Sequence, residues 1–163
     1  YVPFLVSFEV ARELFDFYRQ GAAEAGRTVS PDQLGSLICA VTADTKARAL
    51  EAGPHFVWRM EPTLRGPVDY LSPVGMRSRA ASQFALRARS VSLSKMSYEE
   101  LVDNYYIVAG TPDEVAERFS RVQKELGIGH LLLEAQESRM DHPTTMRSIE
   151  LMGKSVIPAL ASA

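Results

Sequence analysis

The sequence is poor in the residues that build covalent or metal-centred sites. It has one cysteine and three histidines in 163 residues, so a disulfide framework is excluded. His55, His130 and His142 are far apart and lack the spacing of metal ligands, so we expect no metal site. Cys39 lies in an apolar run and is predicted to be a small buried hydrophobe, as free cysteines usually are.

Strong charge and long apolar runs are also lacking. A net charge of -2 argues against general attraction to nucleic acid or to anionic membranes. No apolar run approaches the roughly 20 residues that a membrane-spanning helix needs. The chain contains no G-x-G-x-x-G motif, P-loop or nucleophile elbow. With a single cysteine, a reducing cytoplasmic location is the default expectation.

What the sequence does contain is clearest after residue 104. Tyr105–Ala109 is a short apolar run typical of a strand. Thr111 can cap a following helix, Pro112 suits its first position, and Glu114 completes a capping box. We therefore predict a strand that leads directly into an amphipathic helix.

A second unit of the same kind follows. The predicted helix has an apolar stripe of Val115, Phe119, Val122 and Leu126. Gly127 ends it, and His130–Ala135 is predicted as the next strand. A further helix from Pro143 has an apolar stripe of Met146, Ile149, Met152, Val156 and Leu160. This βαβα pattern predicts a parallel sheet covered by helices, with ligands beyond the carboxyl ends of the strands.

The first half adds another unit and an irregular insertion. Tyr1–Val6 is apolar and strand-like, so we expect the chain to be the carboxyl-terminal portion of something longer. Ser7 can cap the next helix, and a buried strand is predicted near Leu34–Val41. Residues 61–96 form an irregular insertion in a single domain, 1–163, and are rich in cations: Arg65, Arg77, Arg79, Arg87, Arg89 and Lys95. These cations bind a phosphate or are simply solvated on a long connection.

Several segments, in this order and spacing, resemble one enzyme family. They are Ser97–Asn104, Tyr106–Phe119, Glu125–Leu133, Met146–Leu151 and Val156–Leu160, with Gly26–Thr28 and Ala40–Thr45 upstream. Together they resemble the late part of the luciferase-like flavin-dependent monooxygenases. Two positions depart from the family pattern: Tyr105 stands where many relatives have glycine, and Ser138–Asp141 replaces a glycine-containing turn.

The resemblance implies the later part of a TIM (β/α)8 barrel, since a closed barrel usually takes about 250 residues. It implies reduced flavin, FMN or the deazaflavin coenzyme F420, with O2 and a small organic substrate. The family's catalytic histidine and most phosphate-binding groups lie in earlier strands. We therefore assign no catalytic residue, expect the chain to be inactive alone, and leave its status as an enzyme open.

The candidate site residues each have a structural alternative. Glu134 and Gln136 lie at the carboxyl end of the last strand and either line the flavin or substrate pocket or satisfy neighbouring backbone. Ser7 either contacts the flavin or substrate or caps the helix that follows it. Gly110 and Thr111 resemble a phosphate-binding helix start, or an ordinary cap. His142 is predicted to begin a helix rather than to act as an acid or base.

Three hypotheses follow. The chain completes a luciferase-like barrel whose flavin contacts come largely from other residues. Alternatively, it is a non-catalytic half-barrel module that dimerises through its open sheet edges. In the third, it is an open-sheet protein that binds a phosphorylated ligand through Arg77 and Arg79. A homo-oligomer, or a partner that supplies the missing half, is expected under the first two.

Overall fold

The structure is a computed structural model that describes residues 1–3, 6–60, 93–137 and 139–161. Most of the predicted insertion, including Arg77 and Arg79, therefore lies outside the described residues. Its described end forms a short 3-10 helix, Leu93–Lys95. Tyr1–Pro3 are not in a strand, and Phe4 and Leu5 lie outside the described ranges, so the predicted first strand is described only in part. The Tyr1 carbonyl accepts a hydrogen bond from the Gly35 N–H at 3.0 Å. In the described ranges, every helix is too short or too polar to cross a bilayer.

Helices and parallel strands alternate along the described chain. The strands are β1 (Gly35–Thr42), β2 (Ile107–Gly110) and β3 (His130–Glu134). The helices are α1 (Phe8–Glu24), α2 (Lys46–Ala52), α3 (Tyr98–Asp103), α4 (Pro112–Leu126), α5 (His142–Leu151) and α6 (Ile157–Ala161). A 3-10 helix, Gly53–Met60, follows α2, and a π-helical turn, Met152–Val156, joins α5 to α6. The predicted α/β class with parallel strands is confirmed.

Local sequence signals set the helix ends as predicted. Thr111 and Glu114 form the capping box of α4, and Ser97 and Glu100 form a second one at α3. Gly127 ends α4 with a φ of 60°, in the left-handed region that favours glycine. The buried side of α4 consists of the predicted stripe, Val115, Phe119, Val122 and Leu126.

The last helix buries a different face from the predicted one. Met146 and Ile149 are 49% and 45% exposed, whereas Thr145 and Ser148 are buried. The later members of the predicted stripe are buried, namely Met152 and Val156. A π-helical turn contains an extra residue, so an apolar stripe that continues at regular helical spacing lies on different sides of the helix before and after the turn. The prediction of one continuous apolar face was therefore wrong for this helix.

β1 lies at the centre of the sheet. The strand order is β2-β1-β3, and both pairings are parallel. Cys39 is the residue of β1 that lies opposite both Ile107 of β2 and Glu134 of β3. In a barrel, strands that follow one another along the chain are neighbours. In this structure β1 separates β2 from β3, so both β2 and β3 are edge strands of the described sheet.

The two faces of β1 contact different cores. Ile38 and Ala40 pack with α1 and α4. Cys39 and Val41 pack with the 3-10 helix Gly53–Met60 and with α3. The path from β1 to β2 runs one way across the sheet, and the path from β2 to β3 runs back. Two crossovers of the same hand then require helices on opposite faces, as found here.

Candidate functional site

β1 and β2 end level with each other, at Thr42 and Gly110, and this end of the sheet is here named the carboxyl edge. β3 runs toward the same end but stops earlier, at Glu134 opposite Cys39. Thr42, Gly110 and Glu134 are the last residues of β1, β2 and β3, which all run in the same direction. Ligands of parallel α/β sheets usually bind beyond this edge. The side chains that follow these residues are therefore the first candidates for a site.

Glu134 is the last residue of β3 and lies opposite Cys39, and Gln136 follows it in the loop that leaves β3. Glu134 is half-buried, and its Oε2 accepts a hydrogen bond from the Cys39 thiol at 3.7 Å. Cys39 itself is fully buried, as predicted. Gln136 is exposed to solvent. The pair thus combines one half-buried carboxylate with one accessible amide at the end of β3.

A buried carboxylate, Glu137, adjoins them and was not singled out from the sequence. It is only 1% exposed, and its Oε2 accepts a hydrogen bond from the Arg139 main-chain N–H at 3.1 Å. Its carbonyl accepts another from the Met140 N–H at 3.0 Å. Fully buried glutamates are rare. No sequence pattern distinguished it, because a carboxylate in a polar loop is usually solvated.

α5 is tied to the end of β1 by two polar contacts. The Thr42 main-chain N–H donates to the Ser148 hydroxyl at 2.9 Å. The Arg147 guanidinium binds the Asp44 carboxylate through Nε, at 3.1 Å from Oδ2, and through Nη2, at 2.5 Å from Oδ1. This hydrogen bonding holds the pKa of Asp44 below its usual value. Within the described residues, the buried Thr42 hydroxyl has no hydrogen-bond partner.

The start of α4 is filled by a side chain of the helix itself. Glu114 Oε2 accepts hydrogen bonds from the Thr111 N–H at 2.9 Å and from its hydroxyl at 3.2 Å. The main-chain hydrogen bond from Thr111 lowers the pKa of Glu114. A Cβ on Gly110 would lie 2.9 Å from the same Oε2. Gly110 therefore makes room for the capping carboxylate.

The start of α5 is also occupied by a carboxylate of its own capping residue. Asp141 Oδ1 accepts a hydrogen bond from the Thr144 N–H at 2.7 Å, and this bond lowers the pKa of Asp141. His142 follows as the first helical residue and is exposed. A phosphate at either helix start would have to displace an ionised carboxylate. The starts of α4 and α5 therefore do not fit a flavin phosphate.

Ser7 lies apart from these residues. Its hydroxyl accepts a hydrogen bond from the Val10 N–H at 3.3 Å and caps α1. The neighbouring Phe8 N–H donates to the carbonyl of Asn104, which precedes β2. This contact places Ser7 near the amino-terminal end of the sheet, so the structure does not bring it together with Glu134 and Gln136.

A cleft of about 530 Å³ runs beside the free edge of β2. Ala109 and Gly110 of β2 form one side, and residues of α2, α3 and α4 form the walls. The wall residues include Lys46, Leu50, Tyr98, Val102, Glu114 and Arg118. Lys46 Nζ and Glu114 Oε1 form an ion pair at 3.6 Å, which joins α2 to α4 across the cleft.

The family model for luciferase-like monooxygenases matches residues 1–130. The chain belongs to this family. No curated protein sequence is significantly similar to the chain. The motifs of residues 97–119 therefore fall within the matched region, whereas the last helix lies beyond it.

Solved structures of barrel enzymes of this kind share the fold. The monooxygenase RslO1 from Streptomyces bottropensis has 19% identity and a TM-score of 0.63, over 97% of this chain and 40% of its own. The oxygenating constituent of 3,6-diketocamphane monooxygenase from Pseudomonas putida, solved with FMN, has 24% identity and a TM-score of 0.61, over 96% and 42%. The coenzyme F420-dependent tetrahydromethanopterin reductase from Methanopyrus kandleri has 20% identity and a TM-score of 0.55, over 92% and 42%. The chain thus spans about 40% of the length of the structures that it matches.

Proposed function

We propose that the chain forms the later part of a luciferase-like flavin-dependent monooxygenase. In this role it completes the barrel of an enzyme that uses reduced flavin and O2 to oxygenate a small organic substrate. The observation that supports the proposal most is the family match over residues 1–130. FMN is the proposed cofactor of this oxygenation, since a similar monooxygenase was solved with it. Coenzyme F420 is named for a similar reductase and is the alternative, which would support hydride transfer rather than reaction with O2.

In this proposal the chain contributes a pocket wall and no catalytic group. Glu134 and Gln136 would face the pocket from the carboxyl edge, with the buried Glu137 behind them. Ser7 remains a predicted wall residue, although its hydroxyl caps α1 and the neighbouring Phe8 N–H contacts Asn104 at the amino-terminal side of β2. The carboxylates at the starts of α4 and α5 disfavour a phosphate there. We therefore propose that cations and amides other than those at the starts of α4 and α5, most of them in the earlier part of the barrel, hold the flavin phosphate, and that the chain alone is inactive.

A chimera provides the test. The matched 42% of the Pseudomonas putida oxygenating constituent would be replaced by this chain, and FMN binding would be followed by flavin fluorescence. We expect the chimera to bind FMN, and Glu134→Gln together with Gln136→Ala to weaken the binding. Glu13→Gln, on the exposed side of α1, is the control that should leave binding unchanged. A folded chimera that binds no FMN would contradict the proposal.

The chain by itself gives a complementary measurement. We expect no tight FMN binding by the isolated chain, because the starts of α4 and α5 hold their own carboxylates. Fluorescence titration and the solution mass can be measured on the same sample. Tight binding would show that the residues of this chain suffice for a flavin site.

A second candidate is a non-catalytic half-barrel module that dimerises. The observation that favours it is the exposure of large apolar side chains on β3 and α5, namely Leu132, Met146 and Ile149. Light scattering should then give a dimeric mass that Ile149→Lys converts to a monomeric one. A monomeric mass for the unmodified chain at micromolar concentration would remove this candidate.

A further inference from the structure

β3 forms one edge of the described sheet, and little in its sequence blocks pairing with a further strand. The order β2-β1-β3 leaves its outer side without a neighbouring strand among the described residues. His130–Glu134 contains no proline and no lysine, the residues that often blunt exposed edges. Its ionisable side chains stand only at its ends, on either side of three leucines. β3 therefore has the composition of a strand that can pair.

The ladder with β1 determines which main-chain groups of β3 point outward. The His130 N–H donates to the carbonyl of Leu34, the residue before β1, at 3.2 Å. His130 thus directs its main-chain groups toward β1, and successive residues of a strand direct theirs to alternate sides. The N–H and C=O groups of Leu131 and Leu133 therefore point away from β1, toward the open edge.

The face of β3 that carries Leu132 is apolar and open. Leu132 lies opposite Leu37 of β1 and is 42% exposed, and Leu37 is half-buried. Cys39 lies further along the same face of β1, where it packs with the 3-10 helix Gly53–Met60. In the described ranges, this cover leaves Leu132 accessible. The open part of the face thus presents two leucines side by side at the edge of the sheet.

We propose that two copies of this chain pair through β3 in antiparallel orientation, with Leu132 of one copy opposite Leu132 of the other. Leu131 then pairs with Leu133 of the second copy, and each such pair exchanges both of its main-chain hydrogen bonds. The two sheets become one, in the order β2-β1-β3-β3-β1-β2. Leu37 and Leu132 of both copies form a single apolar row across it. This inference deepens the second candidate function, the module that dimerises, and rests on it.

The residues at the ends of β3 select this register. His130 of each copy lies opposite Glu134 of the other, and the two-fold axis repeats the contact. The imidazole can donate a hydrogen bond to the carboxylate whether or not the ring is charged. The nearest registers with the same main-chain bonding would set His130 or Glu134 opposite Leu132, and both polar pairs would be lost. β3 is thus complementary to itself in charge and in apolar pattern.

A cysteine on the two-fold axis tests the register. The variant Cys39→Ala, Leu132→Cys has a single thiol, which lies opposite its own copy in the proposed dimer. Opposite residues of this kind have Cα atoms about 4.5 Å apart, within the range of a disulfide. Cys39→Ala, Leu50→Cys is the matched control, because Leu50 is 55% exposed but lies on α2. After air oxidation at micromolar concentration, we expect a disulfide-linked dimer of the first variant and a mostly reduced control.

The polar pairs give a test without oxidation. His130→Glu places two carboxylates opposite each other at both ends of the paired strands. We expect it to raise the dissociation constant of the dimer by about 2- to 30-fold, the range given by two cross-strand charge pairs. Adding Glu134→His exchanges the two partners, so the double variant should return to the dissociation constant of the unmodified chain. Sedimentation equilibrium measures all three values, and circular dichroism shows whether each variant is folded.

The outcomes separate this inference from the candidate on which it rests. If the unmodified chain is monomeric at micromolar concentration, both are wrong. If it is dimeric but the Leu132→Cys variant oxidises no faster than the Leu50→Cys control, the chain dimerises through another surface, and only the pairing through β3 is wrong. A folded double variant that dimerises no better than His130→Glu would contradict the register.

Discussion

Tyr105 holds a backbone conformation that favours glycine, and its replacement tests how α3 ends. Its φ is 62°. The Tyr105 N–H donates to the Val102 carbonyl at 3.2 Å, and the Tyr106 N–H donates to the Leu101 carbonyl at 3.0 Å. This pair of hydrogen bonds is a Schellman motif, in which the left-handed residue is usually glycine. The departure from the family pattern noted in the sequence therefore falls on a strained residue.

Contacts of the Tyr105 ring offset the strain. The ring lies 5.1 Å from the Phe8 ring, and the Arg118 guanidinium lies 4.8 Å from its centroid. An aromatic pair contributes about 0.5–1.5 kcal/mol and an exposed cation–π contact about 0.5–1 kcal/mol. A left-handed residue with a Cβ costs about 1–2 kcal/mol. The two effects have similar magnitudes and opposite signs.

Two substitutions at this position separate the effects. Tyr105→Ala loses the ring contacts and keeps the strain, so we expect the free energy of unfolding to fall by about 1–2.5 kcal/mol. Tyr105→Gly also loses the contacts but removes the strain, so we expect it to be more stable than Tyr105→Ala by about 1–2 kcal/mol. Urea denaturation followed by circular dichroism measures both values.

A helical position provides the control of opposite sign. At Glu117, in the middle of α4, the Ala variant should be more stable than the Gly variant by about 1 kcal/mol. If Gly is no more stable than Ala at Tyr105 while the control behaves as expected, residue 105 does not hold a left-handed conformation in solution. The account of how α3 ends would then be wrong.

Two further predictions concern the carboxyl edge. Gly110→Ala should lower the free energy of unfolding, and Glu114→Ala should lower it by about 0.5–2 kcal/mol as a lost cap. A Cβ at Gly110 would meet the Glu114 carboxylate. In urea denaturation, the double variant should therefore lose less free energy of unfolding than the two single variants lose together. Since Arg147 lowers the pKa of Asp44 in the folded state, the ion pair stabilises the fold above the unfolded pKa of about 3.9 and is lost as the pH falls through the lowered value. Arg147→Gln should therefore reduce the loss of stability between about pH 4 and pH 2, and an unchanged acid limb in urea midpoints would contradict this assignment.

The helix ends could be predicted from sequence because their causes are local. Thr111, Glu114 and Gly127 act on amides and dihedral angles within a few residues of themselves. The structure confirms their roles at α4. Burial of Cys39 was equally predictable, since it lies in the apolar run that becomes β1.

Features that depend on distant residues were not predictable in this way. The buried face of α5 depends on the π-helical turn and on the amide of Thr42, which needs the Ser148 hydroxyl. The burial of Glu137 depends on how its loop folds against the sheet. The strand order depends on which edge of β1 or β2 receives β3, and the apolar pattern of β3 suits either position.

At the candidate site, composition alone also failed to predict the role of the residues. Gly110 and Thr111 have the composition of a phosphate-binding helix start, but Glu114 places a carboxylate oxygen 2.9 Å from the Thr111 amide. A capping box and an anion site compete for the same main-chain N–H groups, so a complete capping box argues against an anion. This argument disfavours a flavin phosphate at the starts of α4 and α5. It leaves Glu134 and Gln136 as the groups through which this chain could contact the rest of the ligand.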